Sequence, residues 1–197
     1  DGSTIYPQSI ALGSTFNPSL VEQMSENIAL EMKAIGAKQV LAPVLDLSRE
    51  LRWGRVEETF GEDPYLVARM GIAYTKGIHR HNLITTPKHF VAHGTPTAGL
   101  NLASVKGGKR DLLDLYIKPF EELIAETKPL SIMNCYSVYD SEAVTGSPYM
   151  MTTLLRDSLK FKGYVYSDWG SISMLSYFHR TAANNEDAAL QAIEAGI

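Results

Sequence analysis

Apolar side chains recur at steps of three and four residues in five stretches of the chain, which is the spacing of one face of an α-helix. The first stretch begins at Asn17-Pro18, a capping residue followed by proline at the first helical position, and ends at Gly36. Asp63-Pro64 begins the second stretch in the same way, and Gly77 ends it. The other three helices are predicted over 112–124, 147–159 and 185–193. Pro119 lies inside the third helix and is expected to kink or split it.

Short, continuous apolar runs separate the predicted helices. Runs of this length fit strands of a parallel sheet that is covered on both faces, and their alternation with helices indicates βαβ units. The predicted strands are Val40–Leu45, Leu83–Thr86, Leu130–Met133 and Tyr164–Tyr166. The fold class is therefore α/β, either a barrel or an open sheet. A complete (β/α)8 barrel needs about 250 residues, so four strands predict a partial (β/α)8 TIM-like barrel, truncated at both ends.

Composition and charge exclude several classes of protein. The 197 residues are 45% hydrophobic and 20% charged, as in ordinary globular domains. The net charge is −4 without a basic stripe, which argues against nucleic acid as a partner. No apolar run reaches the roughly 18 residues of a membrane span. The opening residues, Asp1-Gly2-Ser3-Thr4, lack an initiator methionine, and Ile197 directly follows a helix-ending glycine, so truncation is predicted at both ends.

A polar residue follows each predicted strand, and active sites of barrel folds lie at the carboxyl ends of the strands. The four residues are Asp46, His89, Tyr136 and Asp168. The Asp168 carboxylate could attack an electrophilic carbon, and the indole of Trp169 could stack on a sugar ring. Alternatively, Asp168 only caps the following helix. Tyr136 could donate its hydroxyl to the nucleophile or substrate, or could simply pack beside its strand.

Basic side chains stand near two of these strand ends. Lys88 and His89 could both bind hydroxyl groups of a polar ligand, although Lys88 could instead form an ion pair with a carboxylate. His89 and His93 have the spacing of two metal ligands, but no zincin-type glutamate follows His89, so no metal is predicted. The segment Arg52–Pro64 holds two arginines and four carboxylates. Ion pairs could hold this loop together while one arginine points into the site.

Several segments together resemble glycoside hydrolase family 3, and they follow the order of that family over nearly the whole chain. The segments are Tyr6–Gly13, Ala42–Asp46, Arg52–Pro64, Lys88–Phe90, Met133–Tyr136 and Ser167–Trp169. The resemblance implies the N-terminal barrel domain of a retaining, exo-acting β-glycosidase. Such an enzyme removes terminal β-linked glucose or xylose from oligosaccharides or aryl β-glycosides. It needs no cofactor.

The resemblance also assigns roles to residues of this chain. Asp168 would be the nucleophile that forms the covalent glycosyl-enzyme, with Tyr136 beside it and Trp169 as an aromatic wall. Arg55, Lys88 and His89 would bind hydroxyls of the terminal sugar. A C-terminal domain, outside residues 1–197, would supply the acid/base, so the isolated segment is expected to show little turnover. One branch of the family uses an Asp-Ser-His loop instead, which segment 94–101 lacks.

The resemblance favours a periplasmic or secreted protein, and two alternatives remain open from the residues. A non-catalytic carbohydrate-binding half-domain would use the aromatic side chains as stacking surfaces. A Schiff-base aldolase would use Lys88 as its imine-forming amine.

Overall fold

A computed structural model describes residues 3–197, so the predicted truncation before Asp1 lies outside the described residues. The fold is α/β. Its α-helices are α1 Ser9–Gly13, α2 Pro18–Ala34, α3 Pro64–His79, α4 Gly108–Asp111, α5 Lys118–Thr127, α6 Ser171–Tyr177 and α7 Asn185–Ala195. Two π-helical segments, Leu112–Tyr116 and Tyr149–Ser158, and three 3₁₀ turns, Val56–Glu58, Thr97–Gly99 and Val144–Gly146, complete the helical structure. No helix within 3–197 has both the length and the apolar character needed to cross a bilayer.

Three of the predicted strands form in shorter or equal length, whereas the predicted strand Val40–Leu45 overlaps an observed strand only at Val40, with an isolated bridge from Val44 to Lys88. The observed parallel strands are β1 Gln39–Val40, β2 Ile84–Thr85, β3 Ser131–Met133 and β6 Tyr164–Tyr166, and a hairpin of β4 Val138–Tyr139 and β5 Glu142–Ala143 lies between the last two. β1 pairs in parallel with β2, and β3 pairs in parallel with β6. A bridge between Phe90 and Asn134 links the residues that follow β2 to those that follow β3. The parallel strands therefore lie side by side in chain order, with their carboxyl ends at one edge.

The predicted helix starts are confirmed by their capping hydrogen bonds. The Asn17 side chain accepts from the amide of Leu20, and the Asp63 side chain accepts from the amide of Leu66 at 2.7 Å. The predicted third helix is split where Pro119 occurs, because the π-helical segment gives way there to α5. Helix α3 lies between α2 and α5 and packs against both. Together they cover the core, in which Phe90 and Phe120 meet edge to face.

The expectation that every strand is covered on both faces is wrong for β6. Tyr164 and Tyr166 in this strand are 44% and 40% exposed. Their hydroxyls allow the tyrosines to face water, which a purely apolar pair would not tolerate as well. Within the described residues, β3 is the one strand that pairs with β6, so one edge of β6 is open.

A polar network joins the four parallel strands at one level. Gln39 donates from Nε2 to Thr86 Oγ1 at 2.7 Å and accepts at Oε1 from the Tyr164 hydroxyl at 3.0 Å. The Thr86 hydroxyl in turn donates to Ser131 Oγ at 3.2 Å. Because a shift of one residue in any strand would break these bonds, the network helps to set the strand register.

We expect Gln39→Ala to lower the free energy of unfolding by about 1–2 kcal/mol, since it leaves the Thr86 and Tyr164 hydroxyls without this partner. Urea unfolding followed by circular dichroism measures the change. Gln23→Ala is the matched control, because Gln23 is exposed and makes only one long contact, 3.4 Å, to Ser19. Equal losses in the two variants would show that the network contributes nothing.

Candidate active site

Asp168 lies at the carboxyl end of β6 with its side chain buried. Its Oδ1 atom accepts hydrogen bonds from the Tyr136 hydroxyl and from the Trp169 backbone amide, each at 2.7 Å. Its Oδ2 atom is buried and has no hydrogen-bond partner within 3–197. One carboxylate oxygen is therefore held in place by two donors, while the other makes no hydrogen bond. The capping alternative is wrong, because Gly170 takes the N-cap of α6 and no side chain caps that helix.

Asn134 fixes the backbone on which Asp168 stands. Its Oδ1 atom accepts from the Asp168 amide at 2.7 Å, and its Nδ2 donates to the hydroxyls of Thr145 and Ser171 at 2.9 and 3.0 Å. The side chain is fully buried. Sequence reasoning missed this residue, although Asn134 follows β3 directly, at the same strand end that pointed to Tyr136.

His89 links Asp168 to two further charged side chains. Its Nδ1 atom is 2.6 Å from Asp46 Oδ2, and its Nε2 atom is 3.1 Å from Arg55 Nη2 and 3.8 Å from Asp168 Oδ2. A guanidinium can only donate, so Nε2 accepts from Arg55, and the hydrogen-bond pattern assigns the ring proton to Nδ1. Burial, with the nearby charges of Arg55 and Lys88, lowers the pKa of His89 to about 3. The imidazole is therefore neutral at neutral pH.

Arg55 is the arginine of its loop that enters the site. Its Nε and Nη2 atoms form a two-pronged ion pair with Glu58 at 2.8 and 2.9 Å. Arg52, by contrast, pairs with Glu50 and its side chain is 70% exposed. The expectation that one arginine points inward is confirmed. The expectation of ion pairs that hold the loop together is confirmed only for Arg55 and Glu58, since Arg52 pairs with Glu50 outside the segment. Glu58 was not singled out from the sequence, because four carboxylates in the loop looked equivalent.

Lys88 is half-buried beside this cluster. Its ammonium forms no ion pair within 4 Å in the part of the chain that the structure describes, so the structural alternative for Lys88 is not observed. Burial, followed by the charge of Arg55, lowers the pKa of Lys88.

Trp169 is 89% exposed and borders a cavity of about 480 Å³ that Met133, Tyr166 and Asp168 also line.

His93 completes a cluster of rings beneath the site. It is fully buried, and its ring lies 4.8 Å from that of His89, 5.4 Å from Trp53 and 5.8 Å from Tyr136. Its Nδ1 atom is 3.0 Å from the hydroxyl of Ser137. Within residues 3–197 there is no group of three or more His, Cys, Asp or Glu side chains that could hold a metal ion. Burial, with the nearby His89, lowers the pKa of His93 to about 3.

The buried His93 makes the stability of the protein depend on pH. Unfolding restores the ordinary pKa of about 6.5, so the unfolded chain binds a proton that the folded protein does not. The free energy of unfolding that depends on keeping His93 neutral is fully present above pH 6.5, and it is lost as the pH falls towards 3. Between pH 6.5 and 4, the free energy of unfolding should fall by about 1.4 kcal/mol per pH unit more in the wild type than in His93→Gln. Urea titrations at several pH values test this, and equal slopes would contradict it.

Comparisons with family models, with curated proteins and with solved structures all point to the same family. The model of the glycosyl hydrolase family 3 N-terminal domain matches residues 1–197. A "Beta-xylosidase" of Formosa agariphila is 33% identical, with 99% of this chain and 28% of the relative covered. A "Periplasmic beta-glucosidase" of Salmonella typhimurium is 32% identical, with 98% of this chain and 26% of the relative covered. The chain thus spans about a quarter of the length of the curated relatives it matches.

Solved structures agree. A β-glucosidase from Listeria innocua, in complex with glucose, matches with a TM-score of 0.93 and 33% identity over 99% of this chain and 28% of its own. A β-glucosidase from Erythrobacter marinus matches with a TM-score of 0.97 and 30% identity over 100% of this chain and 27% of its own. The chain therefore belongs to glycosyl hydrolase family 3, as an N-terminal domain of that family.

Proposed function

We propose that this chain provides the nucleophile and the sugar-binding side chains of a retaining, exo-acting β-glycosidase that removes terminal β-linked glucose or xylose. The observation that carries the proposal is the Asp168 carboxylate, which has Oδ1 held by two donors and Oδ2 free. β-Glucosidases and β-xylosidases among the relatives support the reaction class.

In the first step, Asp168 Oδ2 attacks the anomeric carbon, the bond to the leaving oxygen breaks, and an acid donates a proton to that oxygen. In the second step, water attacks the same carbon, the acid/base takes a proton from the water, and the ester to Asp168 breaks. The Tyr136 hydroxyl and the Trp169 amide orient the carboxylate through Oδ1 in both steps. Burial and the bond to Asp168 raise the pKa of Tyr136, which keeps this donor protonated.

The basic residues suit recognition of a polyol. Arg55 and Lys88 donate hydrogen bonds, which the oxygen atoms of sugar hydroxyls accept. His89 accepts from Arg55 at Nε2 and so holds that guanidinium in the site, where the ring would also lie close to a bound sugar. Trp169 presents an exposed indole for stacking at the mouth of the site. The lowered pKa of Lys88 would also suit an imine-forming lysine. We nevertheless favour the sugar site, because the relatives include β-xylosidases and β-glucosidases.

The acid/base is proposed to come from a further, C-terminal domain of the same protein. A retaining enzyme needs a second carboxyl group about 5–5.5 Å from the nucleophile. Asp46 and Glu58 are the carboxylates found in the described cluster around Asp168, and they are bonded to His89 and Arg55. The greater length of the relatives supports a second domain.

We also propose that residues 1–197 are part of a (β/α)8 barrel, which the side-by-side order of four parallel strands supports. The open edge of β6 is where a next strand would pair. A periplasmic or secreted location is proposed because the Salmonella relative is a periplasmic β-glucosidase.

We expect a 2-deoxy-2-fluoro glucosyl or xylosyl fluoride to label Asp168, because fluorine slows hydrolysis of the ester more than its formation when the leaving group is good. Mass spectrometry of peptides from the full-length protein locates the label. Asp168→Ala should lose activity by about four orders of magnitude and take no label. Asp114→Asn, a change in an exposed surface ion pair, should behave as the wild type. A label on another residue, or an active Asp168→Ala protein, would refute the assignment.

The isolated 197-residue chain should show little or no steady hydrolysis of an aryl β-glucoside, because the proposed acid/base lies outside it. Release of the aryl group is followed by absorbance, and circular dichroism verifies that the chain is folded. Rapid turnover by the folded chain alone would contradict the proposed division of the site between two domains.

A further inference from the structure

Asp46 follows β1 and is 3% exposed, and it has no role in the chemistry described above. We propose that Asp46 is a positioning residue which fixes the tautomer of His89 and thereby keeps Oδ2 of Asp168 free to attack, an inference that rests on the proposed function. Two distances carry the proposal. His89 Nδ1 is 2.6 Å from Asp46 Oδ2, and His89 Nε2 is 3.8 Å from Asp168 Oδ2.

The contacts on the two sides of the imidazole agree on one arrangement. On one side, Asp46 presents a carboxylate oxygen, which accepts a hydrogen bond when the group is ionised. On the other side, Arg55 presents an N–H group at 3.1 Å, which can only donate. A ring that carries its proton on Nδ1 satisfies both neighbours, whereas a ring that carries it on Nε2 satisfies neither.

The ionisation of Asp46 is consistent with this arrangement. Burial raises the pKa of Asp46 to about 6, and the positive charge of Arg55 limits that rise. At neutral pH the group is therefore mostly a carboxylate. Since the pKa of His89 is low, the single proton of the pair stays on the imidazole and forms the 2.6 Å hydrogen bond.

The other tautomer would interfere with the nucleophile. With a hydrogen on Nε2, the ring would bring a donor to within 3.8 Å of Asp168 Oδ2, the oxygen that has no partner among the described residues. A shift of less than 1 Å would then form a hydrogen bond of ordinary length, which would reduce the nucleophilicity of that oxygen. The same hydrogen would oppose the N–H of Arg55 and displace its guanidinium.

Asp46→Asn tests the proposal because it keeps the size of the side chain and removes its obligatory acceptor character. An asparagine amide can donate to Nδ1 and so permits the Nε2–H tautomer. Loss of the carboxylate partner of a metal-bound histidine typically costs about 10- to 100-fold in activity, and we expect a loss of similar size in kcat here, with a much smaller change in KM. Asp114→Asn is the matched control, since it makes the same chemical change on the surface.

Nitrogen-15 spectra of the full-length protein, labelled at histidine, identify the tautomer directly. The wild type should show His89 protonated at Nδ1, and Asp46→Asn should show it protonated at Nε2. An Nε2–H signal in the wild type overturns the proposal whether or not the variant folds. Unchanged kcat and an unchanged tautomer in folded Asp46→Asn overturn it too.

The outcome for the proposed function is read separately, from labelling of the wild type by the 2-fluoro glycosyl fluorides. If Asp168 is labelled and Asp46→Asn is labelled at the same rate, the role of Asp46 fails and the glycosidase function stands. If the wild type takes no label at Asp168, the proposed function fails, and the inference that rests on it falls as well.

Discussion

The parallel pairing of β3 with β6 is the constraint on which the site depends. Asp168 follows β6, but the groups that hold it come mainly from the segment after β3: Asn134 accepts from its amide, and Tyr136 donates to its carboxylate. The register sets Met133 opposite Tyr166, so the two strands end together and their next residues meet. A slip of one residue would turn these side chains to opposite faces and separate the Asp168 carboxylate from its donors.

The same strand ends bring several charged groups into a largely buried space, where an unpaired charge is costly. Two kinds of pairing reduce that cost. Arg55 is matched by the carboxylate of Glu58 in a two-pronged ion pair, and Asp46 receives a hydrogen bond from His89. His89 itself stays neutral, so it connects a carboxylate to a guanidinium without adding a charge. Asp168 and Asp46 each keep one buried oxygen without a hydrogen-bond partner among the described residues, so the pairing of charges in this space is incomplete.

Local chemistry explains which elements could be predicted from the sequence. The caps at Asn17 and Asp63 and the break at Pro119 depend on neighbours within a few residues, and the structure confirms them. Asp168, Tyr136 and His89 were selected as candidates because each follows a predicted strand, a rule that needs only the order of elements. The part played by Asn134 depends on a contact across 34 residues. No local pattern distinguishes it from a polar residue that simply ends a strand.

The exposure of β6 escaped prediction for another reason. A run of three apolar or aromatic residues looks the same whether both faces are covered or one is open, and only neighbouring elements decide between these cases. Tyrosine tolerates either environment, since its ring packs and its hydroxyl finds water or a partner such as Gln39. Polar contacts therefore secure the strands at two levels, with Gln39 at one and Asn134 with Asp168 at the other. Because both levels require the same register, the bonds that stabilise the sheet also fix the position of the Asp168 carboxylate beside Tyr136.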